Sequence, residues 1–158
     1  MKSKIKVYSP RKKKRKPQVR TLLKQYRNKD GTKVETEPER LMKVILRNLG
    51  VSFTSEHPIT HGKHYRVYDF YCYSMDEYCF MVETDGDYWH AKEFYTEDKP
   101  LSKLHKVQKR NIRNDKLKNK IAKELGIPLL RFWESDIKKN PEMVAERIRT
   151  ELLKQNVT

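Results

Sequence analysis

Cysteine is nearly absent: Cys72 and Cys79 are the only two in 158 residues. A single pair excludes a four-cysteine zinc site and gives no basis for a disulfide framework, so both read as small side chains in strands. Long apolar runs are missing too. No stretch approaches the roughly 18 apolar residues of a membrane span, and no apolar segment follows the basic start as in a secretory signal. The expectation is a soluble intracellular protein with no membrane partner, cytoplasmic in a bacterial or phage-infected cell and nuclear if the source is eukaryotic. Apolar residues make up only 36% of the chain and charged residues another 36%. The length suits one domain with a real core, and part of the chain should stay outside it.

Acidic residues are scarce at one end. Residues 1–35 carry 14 Lys/Arg against Asp30 and Glu35, whereas the remaining residues are close to balance, so most of the net charge of +15 belongs to an N-terminal arm. Arg11, Lys12, Lys13, Lys14, Arg15 and Lys16 form an unbroken block that repels itself unless it meets a polyanion, nucleic acid first and anionic membrane second. The same block resembles a nuclear localisation signal. Val19, Leu22, Leu23 and Tyr26 recur at helical spacing with Arg20, Lys24 and Arg27 opposite them. That pattern predicts a basic amphipathic helix at about 17–29, which either touches DNA or packs on the domain. The division expected is an arm over 1–35 and a domain over 36–158.

Within the domain, "TEPERLMKVILRNLG" reads as a helix capped by Thr36, with Glu39 three residues on and Gly50 at its end. Glu39 falls at the rim of the apolar stripe, where it can complete a capping box, face a site, or both. "VSFT" opens a strand, followed by a loop holding His57, His61 and His64. "YRVYDFYCY" (65–73) and "YCFMVETD" (78–85) read as an antiparallel hairpin. Residues 91–103 read as a loop. A long basic helix runs from Lys103 to Leu125 with a stripe of Leu117, Ile121 and Leu125, then comes a buried strand at 127–134. A final helix begins at Asn140-Pro141. This order predicts an α/β domain with a mixed sheet of about four strands flanked by helices.

The acids in the hairpin carry the chemistry. Asp69 has aromatic neighbours on both sides, and a lone acid in such a strand is costly unless it is paired or binds a cation. Glu83 and Asp85 are two apart and so share a face of a regular strand. If 75–77 form a three-residue loop, 69 faces 83, with Cβ atoms roughly 5 Å apart. Two carboxylates there suit a hard divalent cation, Mg²⁺ or Mn²⁺; the other reading is a pair of exposed acids on a solvated sheet face. Extended backwards, the inward arc of the long helix turns polar at Asn114 and Asn111, with Asp115 at its rim. Lys106, Lys109, Arg110, Arg113, Lys116, Lys118 and Lys120 then supply either a phosphate-binding surface or a solvated face. Tyr88 and Trp89 either pack at the site wall or wedge into a base stack.

Glu39 in "PERLMKVIL", Asp69 in "YDF", "VETDGDYWH", "RND" at 113–115 and "ELGIPLLRFWESDI" (124–137) together resemble one family. It is the very short patch repair branch of the PD-(D/E)XK nucleases, and more closely the phage-type EDxHD homing endonucleases on the same core. The resemblance covers about residues 36–150. It implies a restriction-endonuclease-like fold and a Mg²⁺-dependent endodeoxyribonuclease acting on double-stranded DNA, with oligomeric state left open. It further implies that Asp69, Glu83 and the Thr84 carbonyl hold the metal and His90 activates water. Glu39 and Asp115 would orient water and histidine, with Asp85 and Asn111 in support. Two features depart from the pattern. The lysine expected two positions past Glu83 is Asp85, and "DGDYWHAKE" lacks the cysteine of the repair enzymes' structural zinc site, so no zinc is expected. A mismatch nickase, a branched-DNA resolvase and a non-catalytic nucleic-acid-binding protein are the rival readings.

Overall fold

In a computed structural model of the chain, residues 34–73, 79–97 and 100–154 are described. The arm residues Arg11–Lys16, Arg20, Lys24 and Arg27, the helix expected at 17–29, and the hairpin loop around 75–77 lie outside them. Contacts divide the chain into two units, Met1–Glu35 and Thr36–Thr158.

Helix α1 (Glu37–Asn48) begins at a complete capping box: the Thr36 hydroxyl accepts from the Glu39 N–H, and the Glu39 carboxylate accepts from the Thr36 N–H at 2.6 Å. Gly50, at φ +70°, ends it in the left-handed region that glycine enters without steric cost. Four strands follow: β1 (Ser52–His61), β2 (His64–Tyr73), β3 (Cys79–Asp85) and β4 (Leu129–Trp133). They lie in the order β1-β2-β3-β4, antiparallel as far as β3, with β4 parallel to β3. A parallel pair needs a long connection. Here it contains α2 (Lys92–Thr96), a 3-10 turn at Leu101–Lys103 and α3 (Lys106–Glu124). Helices α4 (Glu134–Lys139) and α5 (Pro141–Leu153) close the chain. The domain is therefore α/β, a mixed four-stranded sheet flanked by helices.

The main core lies between the sheet and α1, α4 and α5. Met42, Ile45 and Leu46 of α1 meet Phe70, Cys72, Phe80, Val82 and Phe132 of the sheet, with Ile137, Val144 and Ile148 behind them. On the opposite face, Met81 and Tyr68 pack with Ala122 of α3. No helix among the described residues is long and apolar enough to cross a membrane.

Three expectations need correcting. The histidine loop is a strand pair: His57 and His61 lie on β1, and His61 pairs with His64 around Gly62-Lys63. This hairpin runs past the core, so both its faces are largely exposed and its sequence lacks the apolar alternation that marks a half-buried strand. Residues 91–103 contain α2 and the 3-10 turn rather than loop alone. The inward stripe of α3 is Ile112, Asp115, Lys118, Ile121 and Ala122, while Leu125 is 39% exposed. Asp115 and Lys118 give this stripe two charges, so it lacks the apolar pattern of a buried face.

The β2–β3 register is Phe70↔Val82, Tyr71↔Met81 and Cys72↔Phe80, the pairing that brings 69 opposite 83 at the next step. The ladder stops short of that step. On the other side, Glu56 of β1 sits at φ +51° between the pairs Ser55↔Phe70 and His57↔Tyr68. Asp69 therefore stands at a break in both ladders. Across it the strand changes phase, with Phe70 in the α1 core and Tyr68 in the α3 cluster, although a regular strand points i and i+2 the same way.

Candidate active site

Where the ladders part, side chains replace the missing backbone bonds. The Glu83 carboxylate accepts from the Asp69 N–H at 3.2 Å. Asp69 Oδ2 in turn accepts from the Thr84 N–H and the Thr84 hydroxyl, both at 2.8 Å. The Asp69 and Thr84 N–H groups, which the ladders leave without a backbone partner here, are thus both paired. Asp69 Oδ1 takes part in none of these bonds.

Glu83 and Asp85 both project toward α3 and are 3% exposed. Lys118 Nζ reaches both Glu83 oxygens at 2.7 Å. Arg131, opposite Glu83 on β4, grips Asp85 with two donors, Nε at 2.7 Å and Nη2 at 2.5 Å. Its Nη2 also donates to Asp115 Oδ1 at 2.9 Å. Asp115 Oδ2 lies 2.8 Å from His90 Nδ1, and Asp85 Oδ1 lies 3.4 Å from that same nitrogen. Two cations, three carboxylates and an imidazole thus form one connected network between β3, β4 and α3.

Ionisation follows from this packing. Burial and the neighbouring Asp69 charge push Glu83 up to about 7, and Lys118 and Arg131 offset only part of that. Burial disfavours charged His90, but the Asp115 hydrogen bond and the charges of Asp85 and Asp115 outweigh it, so the imidazole is held above its ordinary value. Burial also opposes charge on Asp115, yet His90 and Arg131 keep its carboxyl below the usual range. An ionised Asp115 is acceptor-only, so His90 Nδ1 must carry the proton. The neutral ring then leaves Nε2 as the basic nitrogen.

The donor chemistry fits a hard divalent cation at the Asp69 edge. Counting Asp69, which meets Glu83 at the strand break, four carboxyl groups are gathered here against two cations, Lys118 and Arg131. Asp69 Oδ1 is the oxygen available on that edge; Glu83 is available only when Lys118 withdraws. Asp85, His90 and Asp115 also offer ligand atoms within 4.8 Å of one another. There, however, the Arg131 guanidinium already supplies the positive charge.

Asp69, Glu83 and Thr84 meet at the strand break, while Asp85, His90 and Asp115 meet through Arg131. Glu39 is buried and its carboxylate holds Thr36. Asn111 Nδ2 donates to the Trp89 carbonyl at 2.9 Å and Gln108 Nε2 to the Tyr88 carbonyl at 2.7 Å, so α3 tethers the turn that carries His90. Tyr88 and Trp89 stack edge to face with each other and are 61% and 47% exposed, outside the core. Arg110 and Arg113 are exposed on α3, and Lys109 reaches the Ser102 carbonyl.

Lys118 and Arg131 were not foreseen in the network. Lys118 is 7% exposed and does not belong to the surface row of α3. Arg131 carried the same signal as Asp69, a charge inside an apolar strand. Lys118 lies three residues beyond Asp115, along the inward arc that had already turned polar.

The chain is 29% identical over 119 residues to the type II nicking enzyme V.NmeDIP of Neisseria meningitidis serogroup C. The match covers 72% of this chain and 75% of that protein. No family profile matches the chain, and no solved structure matches it.

Proposed function

We propose that this chain is a metal-dependent DNA endonuclease on a PD-(D/E)XK core, related to the very short patch repair and EDxHD homing branches, and that it nicks duplex DNA. The observation that carries this reading is the His90–Asp115 pair, with Nε2 left basic, on the same face as the acids at the Asp69 strand break. Its similarity to a nicking enzyme supports the reaction class, and the basic arm over 1–35 supports a polyanionic substrate.

Mg²⁺, with Mn²⁺ as substitute, would be held by Asp69, Glu83 and the Thr84 carbonyl, and would supply Lewis-acid stabilisation of charge on the phosphoryl group. The residues do the rest. His90 Nε2 takes a proton from the attacking water, and Asp115 stabilises the imidazolium through Nδ1. Arg131 helps keep Asp115 ionised in a buried setting, Lys118 offsets part of the burial cost of charge on Glu83, and both offset negative charge building on the phosphate. Asn111 and Gln108 hold the turn that sets the imidazole's position. Tyr88 and Trp89, exposed beside it, are suited to contact the bases.

Incubation of supercoiled plasmid with the protein and Mg²⁺ tests this: open circles should accumulate before linear molecules, and EDTA should stop the reaction. Absence of strand scission with both Mg²⁺ and Mn²⁺ would overturn it. A matched and a T·G duplex compared side by side separate a general nickase from a mismatch enzyme.

A further inference from the structure

A polar cavity of about 600 Å³ opens beside α3. It is lined by Arg66, Arg110, Asn111, Arg113, Asn114 and Leu117, with no carboxylate among them. The cavity near α2 differs, since Asp87, Glu93 and Glu97 offset its lysines. Arg66 is the unusual member. Its Nη1 donates to the Tyr65 carbonyl at 2.7 Å, but its Nε is buried with no hydrogen-bond partner, alone in that respect among the described residues. A buried guanidinium N–H without an acceptor is costly, and native structures leave few such groups unexplained.

The three arginines that line the cavity, with no acid among them, suit an acceptor-only anion. Guanidinium presents donors in a planar fork that matches two oxygens of a phosphate, and the flanking asparagines add neutral donors. On α3, Asn114 is one residue, or about 100°, round from Asp115. On β2, Arg66 is three residues from Asp69, roughly 10 Å at strand rise. A strand of DNA whose scissile phosphate lay at the Asp69–His90 site would therefore pass close to this cavity.

We infer that Arg66, Arg110 and Arg113 form a seat for a non-scissile backbone phosphate of the DNA, which the chain uses to hold the strand beside the cleavage site. This inference rests on the endonuclease reading for its choice of ligand. The seat fixes position without reading sequence, because phosphates carry no sequence information.

The test is DNA binding by the full chain in EDTA, so that cleavage plays no part, followed over a range of salt concentrations. Arg66→Gln and Arg113→Gln should each lower the slope of log affinity against log salt by about 0.9. Each should weaken binding by severalfold to about tenfold, equally for unrelated sequences. Arg149→Gln, a charge on α5 away from the seat, should change neither. Arg113 is exposed, so its variant keeps the test valid if Arg66→Gln fails to fold. Wild-type slopes in the variants would overturn the seat. So would inorganic phosphate shifting the Arg66 Nε resonance while those slopes stay unchanged, because the cavity would then take free phosphate only. If the slopes fall but Mg²⁺ elicits no cleavage, the seat stands and the endonuclease reading falls; cleavage with unchanged slopes gives the reverse.

Discussion

On one side of the sheet, Phe70, Cys72, Phe80, Val82 and Phe132 pack against α1, α4 and α5 without a charged side chain among them. On the other, Met81 and Tyr68 supply a small apolar patch, and beyond it Glu83, Asp85 and Arg131 meet Asp115 and Lys118 of α3. The same strands supply both faces through their period-two alternation. Their energetics differ. Burying the apolar face stabilises the fold directly, at roughly 25 cal/mol per Å². Buried ion pairs contribute little net stability, because desolvation offsets most of their attraction. A domain that keeps five charges on one face of its sheet gains little stability from them, which agrees with a face shaped by chemistry.

Breaking the apolar face should have the largest effect on stability. Phe70→Ala should destabilise the domain by about 3–5 kcal/mol in urea unfolding, through lost burial and a cavity. On the polar face, Lys118→Met leaves Glu83 buried without its main partner and should cost about 3 kcal/mol above the Glu83 midpoint near 7. Glu83 has a raised folded pKa, so its contribution to stability is fully present below its ordinary 4.5 and is lost as pH rises through about 7. The Lys118→Met deficit should therefore shrink toward pH 4.5. The double variant Glu83→Gln/Lys118→Met should recover most of it, which no second substitution near Phe70 would do.

A smaller effect concerns pH and rate. Because His90 is held above its ordinary 6.5, cleavage should rise with pH through a midpoint above that value, as the imidazole loses its proton. Asp115→Asn removes the hydrogen-bonded charge and should move the midpoint down, measurable in a pH–rate profile. Smallest of all, Thr36→Ala should cost about 1 kcal/mol by removing the cap of α1, with no change in that profile.

The apolar face was the easier to read from sequence. The stripe of α1, its capping box and the β2–β3 pairing all follow from local patterns, and the register of the described ladder is the one expected if 75–77 form a three-residue loop. The polar face was legible only in part. Glu83 and Asp85 share it by simple alternation, but a hydrophobic stripe cannot announce that Lys118 lies within it. That burial depends on Glu83, which is 35 residues away. Nor could alternation foresee the change of phase at Asp69, because it arises from side chains taking over backbone hydrogen bonds. The β1–β2 extension through the histidines is exposed on both faces and so carries no burial signal in the sequence.

The most direct measurement is single-turnover cleavage of plasmid DNA in Mg²⁺ by the wild-type chain, Asp69→Asn and His90→Ala, with DNA affinity measured in parallel. The account predicts that each variant binds DNA as the wild type does and cleaves at least about a hundredfold more slowly. Metal-dependent cleavage at near wild-type rates in both variants would contradict it.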